Sequence, residues 1–277
     1  MPWFPDFVGA VELVRRQTRA AGRADPVTQY FTALNDGDTS GLETLWPGEV
    51  VVYDPRAGEV RGHEALRLFV RRNQSWLAER GARIETTGAT CTGGRAVVET
   101  LAHLSGRGGE LAWPVAVVAE CPDDRSVVFR TYCSQWPVDG RHHVRPAILP
   151  SAAARPGDVV GRYCAALDAG DADAIARTFA SDGYFREPLG TRHVHRGGGA
   201  LRAFFTGYLG AGGVGLQPCA VTDDGVRCAL EYNCVRWGSD ELPPQAGMIV
   251  FERDRAGLLA AVRVYDDVDH TGVPATE

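Results

Sequence analysis

Lysine is missing from this chain: all 29 basic residues are arginine. That removes Schiff-base chemistry and a phosphate-cradling Walker lysine together. The seven cysteines are odd in number and include no C-x-x-C pair. Reduced, mostly buried thiols are therefore expected, rather than a disulfide framework or a zinc site, and no metal is assigned. No apolar run reaches membrane-spanning length, and residues 1–24 lack the basic start and apolar core of a signal peptide, so a cytoplasmic location is expected. A one-signed face is also lacking. The net charge is −6 with both signs interspersed, which argues against nucleic acid and anionic membrane as partners.

What remains is a soluble globular composition, 44% apolar and 23% charged over 277 residues, enough for two ordinary domains. Trp3, Phe4, Phe7, Val8, Val11 and Val14 recur at helical spacing and predict a helical extension over 1–24. Asp25-Pro26 then reads as a cap and first turn for a helix with Val27, Tyr30, Phe31 and Leu34 on one face, ended by Asn35-Asp36-Gly37-Asp38. A short helix over Ser40 to Trp46 and a strand over Val50 to Tyr53 follow. After the Arg61-Gly62 turn, Leu66, Phe69, Val70 and Trp76 mark a third helix, roughly Glu64 to Arg80. Four strands are expected next, near Arg83–Thr90, Arg95–His103, Leu111–Glu120 and Val127–Gln135, separated by Gly-rich and Pro-Asp turns.

The order then repeats. Pro137, Pro146, Pro150 and Pro156, with Ser151-Ala152-Ala153-Ala154, read as a linker. Beyond it Tyr163 repeats Tyr30, Phe179 repeats Trp46, and Glu187-Pro188 repeats Asp54-Pro55 at one constant offset. Arg95–Glu99 corresponds to Arg227–Glu231, Val117–Glu120 to Ile249–Glu252, and Arg130-Thr131-Tyr132 to Arg263-Val264-Tyr265. A register held this long indicates a duplicated domain. The expected layout is an extension over 1–24, a first domain over 25–137, a linker over 138–157 and a second domain over 158–270.

Each half resembles the α+β superfamily that includes nuclear transport factor 2, ketosteroid isomerase, scytalone dehydratase, limonene epoxide hydrolase and the SnoaL-type polyketide cyclases. The resemblance implies two tandem cone-shaped barrels, each of three helices on a curved antiparallel sheet with a pocket between them. It also implies an internal pseudo-dimer or a homodimer. Asp54 and Glu187 match the general base that ketosteroid isomerase carries in a Glu-Asp-Pro segment, and Tyr30 and Tyr163 match its catalytic tyrosine. The second, protonated aspartate of that enzyme's oxyanion hole has no counterpart near Trp113–Val117 or Gln245–Ile249. SnoaL-type cyclases carry their catalytic aspartate in the last strand, which Asp266 matches; Cys133 stands there in the first half.

These residues suit acid/base chemistry. Desolvation in an apolar cone would raise the pKa of Asp54 and Glu187 toward the working range of a base, and a second carboxylate at Asp266 would divide the roles of acid and base. The alternatives are turn-stabilising Asx-Pro residues at Asp54 and Glu187, and a solvated strand end at Asp266-Asp267. Glu99 and Glu231 interrupt apolar strands and line either the pocket or the outer face, the outer face being the usual place for charge. His103, with Trp113 facing it, and His193 at the pocket mouth complete the candidate substrate contacts. His63, His193 and His195 lack further ligands at metal spacing and read as surface residues. The glycines of 197–199 and 210–215 lack the strand and helix context of a dinucleotide site. The expectation is a cofactor-independent epoxide hydrolase/cyclase or isomerase acting on a bulky apolar metabolite, or a non-catalytic binding or scaffold protein of the same fold.

Overall fold

The computed structural model describes residues 26–92, 94–106, 109–152 and 156–267. The extension expected over 1–24 lies outside the described residues. The chain divides into two compact units, residues 1–133 and 134–277.

In the first unit α1 (Pro26–Asp36) begins on proline, whose fixed φ suits a first turn, and stops at Gly37, whose φ of 72° only glycine adopts without strain. Then come α2 (Ser40–Leu45), β1 (Val50–Asp54), β2 (Gly58–Arg61), α3 (His63–Ala78), β3 (Arg83–Thr92), β4 (Arg95–Gly106), β5 (Gly109–Glu120) and β6 (Val127–Tyr132). The strands form one sheet in the order β2-β1-β6-β5-β4-β3. Tyr30, Phe31, Leu42, Leu66, Phe69 and Val70 of the helices bury against Val52, Val98, Val117 and Phe129 of the sheet.

The second unit repeats this after a short helix, α4 (Trp136–Asp139). Its elements are α5 (Val159–Ala169), α6 (Ala172–Thr178), β7 (Phe179–Arg186), β8 (Val194–Arg196), α7 (Gly197–Tyr208), β9 (Val214–Asp223), β10 (Arg227–Trp237), β11 (Asp240–Arg253) and β12 (Leu259–Val264), with sheet order β8-β7-β12-β11-β10-β9. Asp158 caps α5 by accepting from Val160 N–H at 3.0 Å, and Asp171 caps α6 by accepting from Ala174 N–H at 2.8 Å. Tyr163, Leu201, Phe205, Cys228, Leu230, Tyr232, Ile249, Phe251 and Val262 meet in the core between helices and sheet.

The two tandem α+β units are as the sequence predicts, with two refinements. The sheets are mixed rather than antiparallel throughout, because β1 runs parallel to β6 and β7 parallel to β12. The turn after each key carboxylate also contains a short strand, β2 or β8, that pairs back on β1 or β7. These strands are too short for an alternation to show in the sequence. The segment after Cys133 is anchored on the second unit: buried Asp267 accepts from the N–H groups of Gln135 at 3.1 Å and His143 at 3.2 Å, and Asn233 donates to Leu149 O at 3.1 Å. Among the described residues no helix is long and apolar enough to cross a membrane.

Leu201 is wholly buried where α7 meets the second core. Leu201→Ala is expected to destabilise that unit by about 2–5 kcal/mol, through lost burial and the cavity left behind. A fall in denaturant midpoint with little change in slope is the expected reading.

Candidate functional site

Strand alternation assembles the site in the second unit. Leu230, Tyr232 and Cys234 of β10 and Ile249 and Phe251 of β11 all point into the core, and Tyr232 pairs in register with Gly247. Asp266, just past β12, lays its carboxylate over that glycine. A Cβ on Gly247 would collide with the carboxylate and lie 2.5 Å from Tyr232 Cζ. Tyr232 donates its hydroxyl proton to Asp266 Oδ2 at 2.7 Å, and Met248 N–H donates to Oδ1 at 2.7 Å.

Asp266 is 7% exposed. Burial pushes its pKa up to about 7 against the pull of those two hydrogen bonds, with the neighbouring Asp267 charge adding a little. Burial first, and then the Asp266 charge, pushes the Tyr232 hydroxyl well above its ordinary value. The Tyr208 hydroxyl is raised too, by burial and then by Tyr163, Cys234, Asp266 and Glu187, which places Tyr208 within electrostatic reach of both carboxylates. Its ring packs edge-on against Trp237 with centroids 4.8 Å apart.

Glu187 stands two residues beyond the core-facing Phe185, hence on the same side of β7, and Phe185 pairs in register with His195 of β8. The pairing brings His195 Nε2 to 2.7 Å from Glu187 Oε1. The imidazole stacks on Phe204 with centroids 4.0 Å apart. Glu187 and His195 keep 22% and 27% side-chain exposure, so this edge of the cluster is open while Asp266 is closed in.

Tyr163 is buried among the rings of Phe179, Phe205 and Phe251. Desolvation raises its hydroxyl well above the ordinary value. His193 is half-buried, and its carbonyl accepts from Glu187 N–H at 3.0 Å, closing the turn that carries the carboxylate.

The first unit is built differently at the same positions. Asp54 Oδ1 accepts from the N–H groups of Arg56 at 2.9 Å and Ala57 at 2.8 Å, holding the turn after β1. Tyr30 stacks on Phe129 with centroids 4.3 Å apart. Its hydroxyl is raised chiefly by burial and next by the Asp54 charge. Where the second unit has Asp266, Tyr232, Gly247 and His195, the first has Cys133, Thr100, Val115 and Val60.

The remaining candidates lie away from the cluster. Glu99 and Glu231 alternate with core residues and so sit on the face opposite the helices, yet both are buried, at 1% and 2% exposure. His103 bonds Glu110 at 3.1 Å and pairs in register with Ala112, while Trp113 pairs with Ala102. Adjacent strand positions face opposite ways, so His103 and Trp113 do not face each other as the sequence suggested. Trp113 meets Trp76, centroids 6.0 Å apart, whose indole lies under the guanidinium groups of Arg56 and Arg80. A groove of about 740 Å³ between α5 and the β9–β10 region includes Cys164, Leu216 and Leu242 among its walls, but none of Glu187, His195, Tyr163 or Asp266. Among the described residues no group of three or more His, Cys, Asp or Glu side chains is placed to hold a metal ion.

Tyr208, Tyr232 and Gly247 belong to no motif in the sequence, and His195 reads there as a surface residue. The signal available for Tyr232 and Gly247 was a tyrosine across from a glycine on neighbouring apolar strands, which acquires meaning only once the register is known.

A family model described as a SnoaL-like domain matches the chain twice, over residues 27–129 and 160–262. No curated protein matches it. Among solved structures, a candidate polyketide cyclase from Sinorhizobium meliloti is 22% identical with a TM-score of 0.33, the match covering 38% of this chain and 92% of that one. The epoxide hydrolase/cyclase-like enzyme SalBIII, described in pyran ring formation in the polyether salinomycin, is 24% identical with a TM-score of 0.33, covering 39% of this chain and 86% of that one. A protein from Mycobacterium tuberculosis is 15% identical with a TM-score of 0.34, covering 40% and 92%.

An acid held at about pKa 7 in the fold, against an ordinary 3.8, binds its proton more tightly folded than unfolded. Its contribution to stability is complete below the ordinary value and is lost as pH rises through the folded one, by about 1.4 kcal/mol per unit in between. Asn reproduces the neutral acid. The stability of Asp266→Asn relative to wild type should therefore climb over that window, as read from denaturant midpoints at a series of pH values. A flat difference would show that Asp266 is already ionised.

Proposed function

The chain belongs to the SnoaL-like domain family in both of its halves, and from that premise we propose that its second unit is a cofactor-independent acid/base catalyst. It acts on a bulky, largely apolar metabolite by epoxide opening, with hydrolysis or cyclisation, or by isomerisation. The observation that carries this reading is Asp266: a buried carboxyl poised near neutrality, fixed by Tyr232 and Met248 N–H over a glycine that leaves room for it. A group so poised can give and take a proton at physiological pH.

Glu187, the second carboxylate, stands on the open edge of the same cluster beside His195. Two acidic groups in unlike surroundings supply an acid and a base. Tyr163 and Tyr208 bring phenol donors whose protons are held firmly by burial, suited to hydrogen-bonding a developing oxyanion rather than ionising. Half-buried Phe204 and Tyr208, backed by buried Phe185 and Trp237, supply aromatic surface for the substrate. Access is from the side of Glu187, His195 and Tyr208.

The other reading, a binding or scaffold module without chemistry, is favoured for the first unit. There Asp54 serves its own turn, Tyr30 stacks on Phe129, and Cys133 replaces the aspartate. Chemistry is accordingly placed in the second unit, and Asp54→Asn is expected to leave turnover within about twofold, a change small on the scale of acid/base catalysis.

The test uses two apolar probes, stilbene oxide in oxygen-labelled water for epoxide opening and tetralone in heavy water for proton exchange beside a carbonyl. Wild type should turn over at least one of them, and Asp266→Asn should slow it by about 100-fold or more. A wild-type protein inert toward both, or an Asp266→Asn variant at full rate, would sink the reading.

A further inference from the structure

We propose that His195 is the proton acceptor of this site and that Glu187 is the residue that positions it. The inference rests on the acid/base reading of the second unit and changes its assignment of roles, since the carboxylate that the sequence marks as the base is engaged by the imidazole.

The geometry is specific. The cross-strand pairing of Phe185 with His195 sets the ring on the inner side of β8, and Glu187 Oε1 meets Nε2 at 2.7 Å. A carboxylate at that nitrogen fixes a neutral ring with its proton on Nε2, leaving Nδ1 as an acceptor with a free lone pair. Among the described residues no hydrogen bond is found to Nδ1, and the side chain keeps 27% exposure. Phe204 holds the ring plane by stacking at 4.0 Å, and Phe204 itself packs against Phe185 and Tyr208. The carboxylate is held in turn: Glu187 N–H donates to His193 O at 3.0 Å. An imidazole with one nitrogen oriented by a carboxylate, the other open and its plane clamped is arranged as a general base.

The titratable groups around it are compatible with that role. Glu187, just past β7, faces the imidazole at Nε2. Tyr208 from α7 keeps its proton, and burial pushes Asp266 beyond β12 up to about 7. Arg196, the next residue on β8, lies over Tyr184 on the opposite face of the sheet. The first unit has Val60 at the matching place, so it has no such pair.

For epoxide opening the proton balance closes without a cofactor. His195 Nδ1 takes a proton from water, or from a hydroxyl of the substrate, as that oxygen forms its bond to an epoxide carbon. The carbon–oxygen bond of the ring breaks, its electron pair stays on the oxygen, and neutral Asp266 protonates it. The imidazolium then returns a proton to the Asp266 carboxylate through solvent. The product is a diol or a cyclic ether bearing one hydroxyl, and nothing is oxidised or reduced.

Two measurements test this. With stilbene oxide, His195→Ala should lose about 100-fold in turnover while keeping its fold, and added imidazole should restore much of the loss. Glu187→Gln should lower turnover and move the low-pH limb of the rate profile to lower pH, because imidazolium loses its counter-charge, while Glu187→Asp should recover part of the rate. Nitrogen NMR of the labelled protein should find His195 above its pKa with the proton on Nε2. An Nδ1-protonated ring, or a His195→Ala variant that is fully active or not rescued by imidazole, would overturn the assignment. If Asp266→Asn is inactive while His195→Ala is not, the acid/base reading survives and this inference falls. If wild type turns over neither epoxide nor ketone, the acid/base reading itself fails and the base assignment falls with it.

Discussion

One buried carboxyl group constrains the second unit more than any other group. Asp266 is expensive to place in an apolar core, since removing an ionised carboxylate from water costs more than one hydrogen bond returns. The protein meets that cost with a phenol proton, a backbone amide, a position left without a Cβ, and a pKa at which the group need not stay charged. Each of these depends on strand register. A slip of one residue between β10 and β11 would turn Tyr232 to the other face and put a side chain where Gly247 stands. The core of Phe205, Ile249 and Phe251 therefore does more than fill space: it holds the alternation that makes a buried acid tolerable.

The duplication makes the same point by contrast. The two sheets share strand order, including the parallel pairing of the first and last strands, so the backbone alone does not create the site. In the first unit valine at positions 60 and 115, threonine at 100 and cysteine at 133 occupy the equivalent places, and none of them demands a titrating partner. Thr100 satisfies its hydroxyl on Val115 O at 3.1 Å, a local bond that needs nothing from the segment after β6. Asp54, with no histidine beside it, folds back on its own turn. The pattern is that of a fold kept for packing in one copy and loaded with polar groups in the other.

The fold was readable because its signals are periodic and occur twice. Helices with stripes such as Leu66, Phe69 and Val70, and apolar strands bounded by glycine turns, give the element order, and the repeat of Tyr30–Asp54 in Tyr163–Glu187 gives the duplication. Asp266 was reachable as well, because its counterpart in the first half is a cysteine and unequal copies draw attention to the odd residue. What stayed hidden depends on pairing across strands. His195 looks like a loop histidine until β8 is known to pair with β7. Glu99 and Glu231 looked like solvated charges because alternation reports a face but not what covers it. His103 and Trp113 looked opposed because loop length alone does not fix register to one residue.

On the proposed reading, placement of the two acidic positions at different depths is what allows division of labour. Asp266, shut in behind Tyr232, is tuned by desolvation and so suits a group that must hold a proton until charge develops beside it. Glu187, at the open edge, meets an imidazole instead. An exposed carboxylate is a weak base at neutral pH, but a carboxylate that orients a histidine lends its charge to a stronger one. The histidine sits on the short strand after the turn, which pairs back on the strand that leads to Glu187. That short strand is the part of the fold for which the sequence offers least warning, and it is the part that the proposed chemistry most requires.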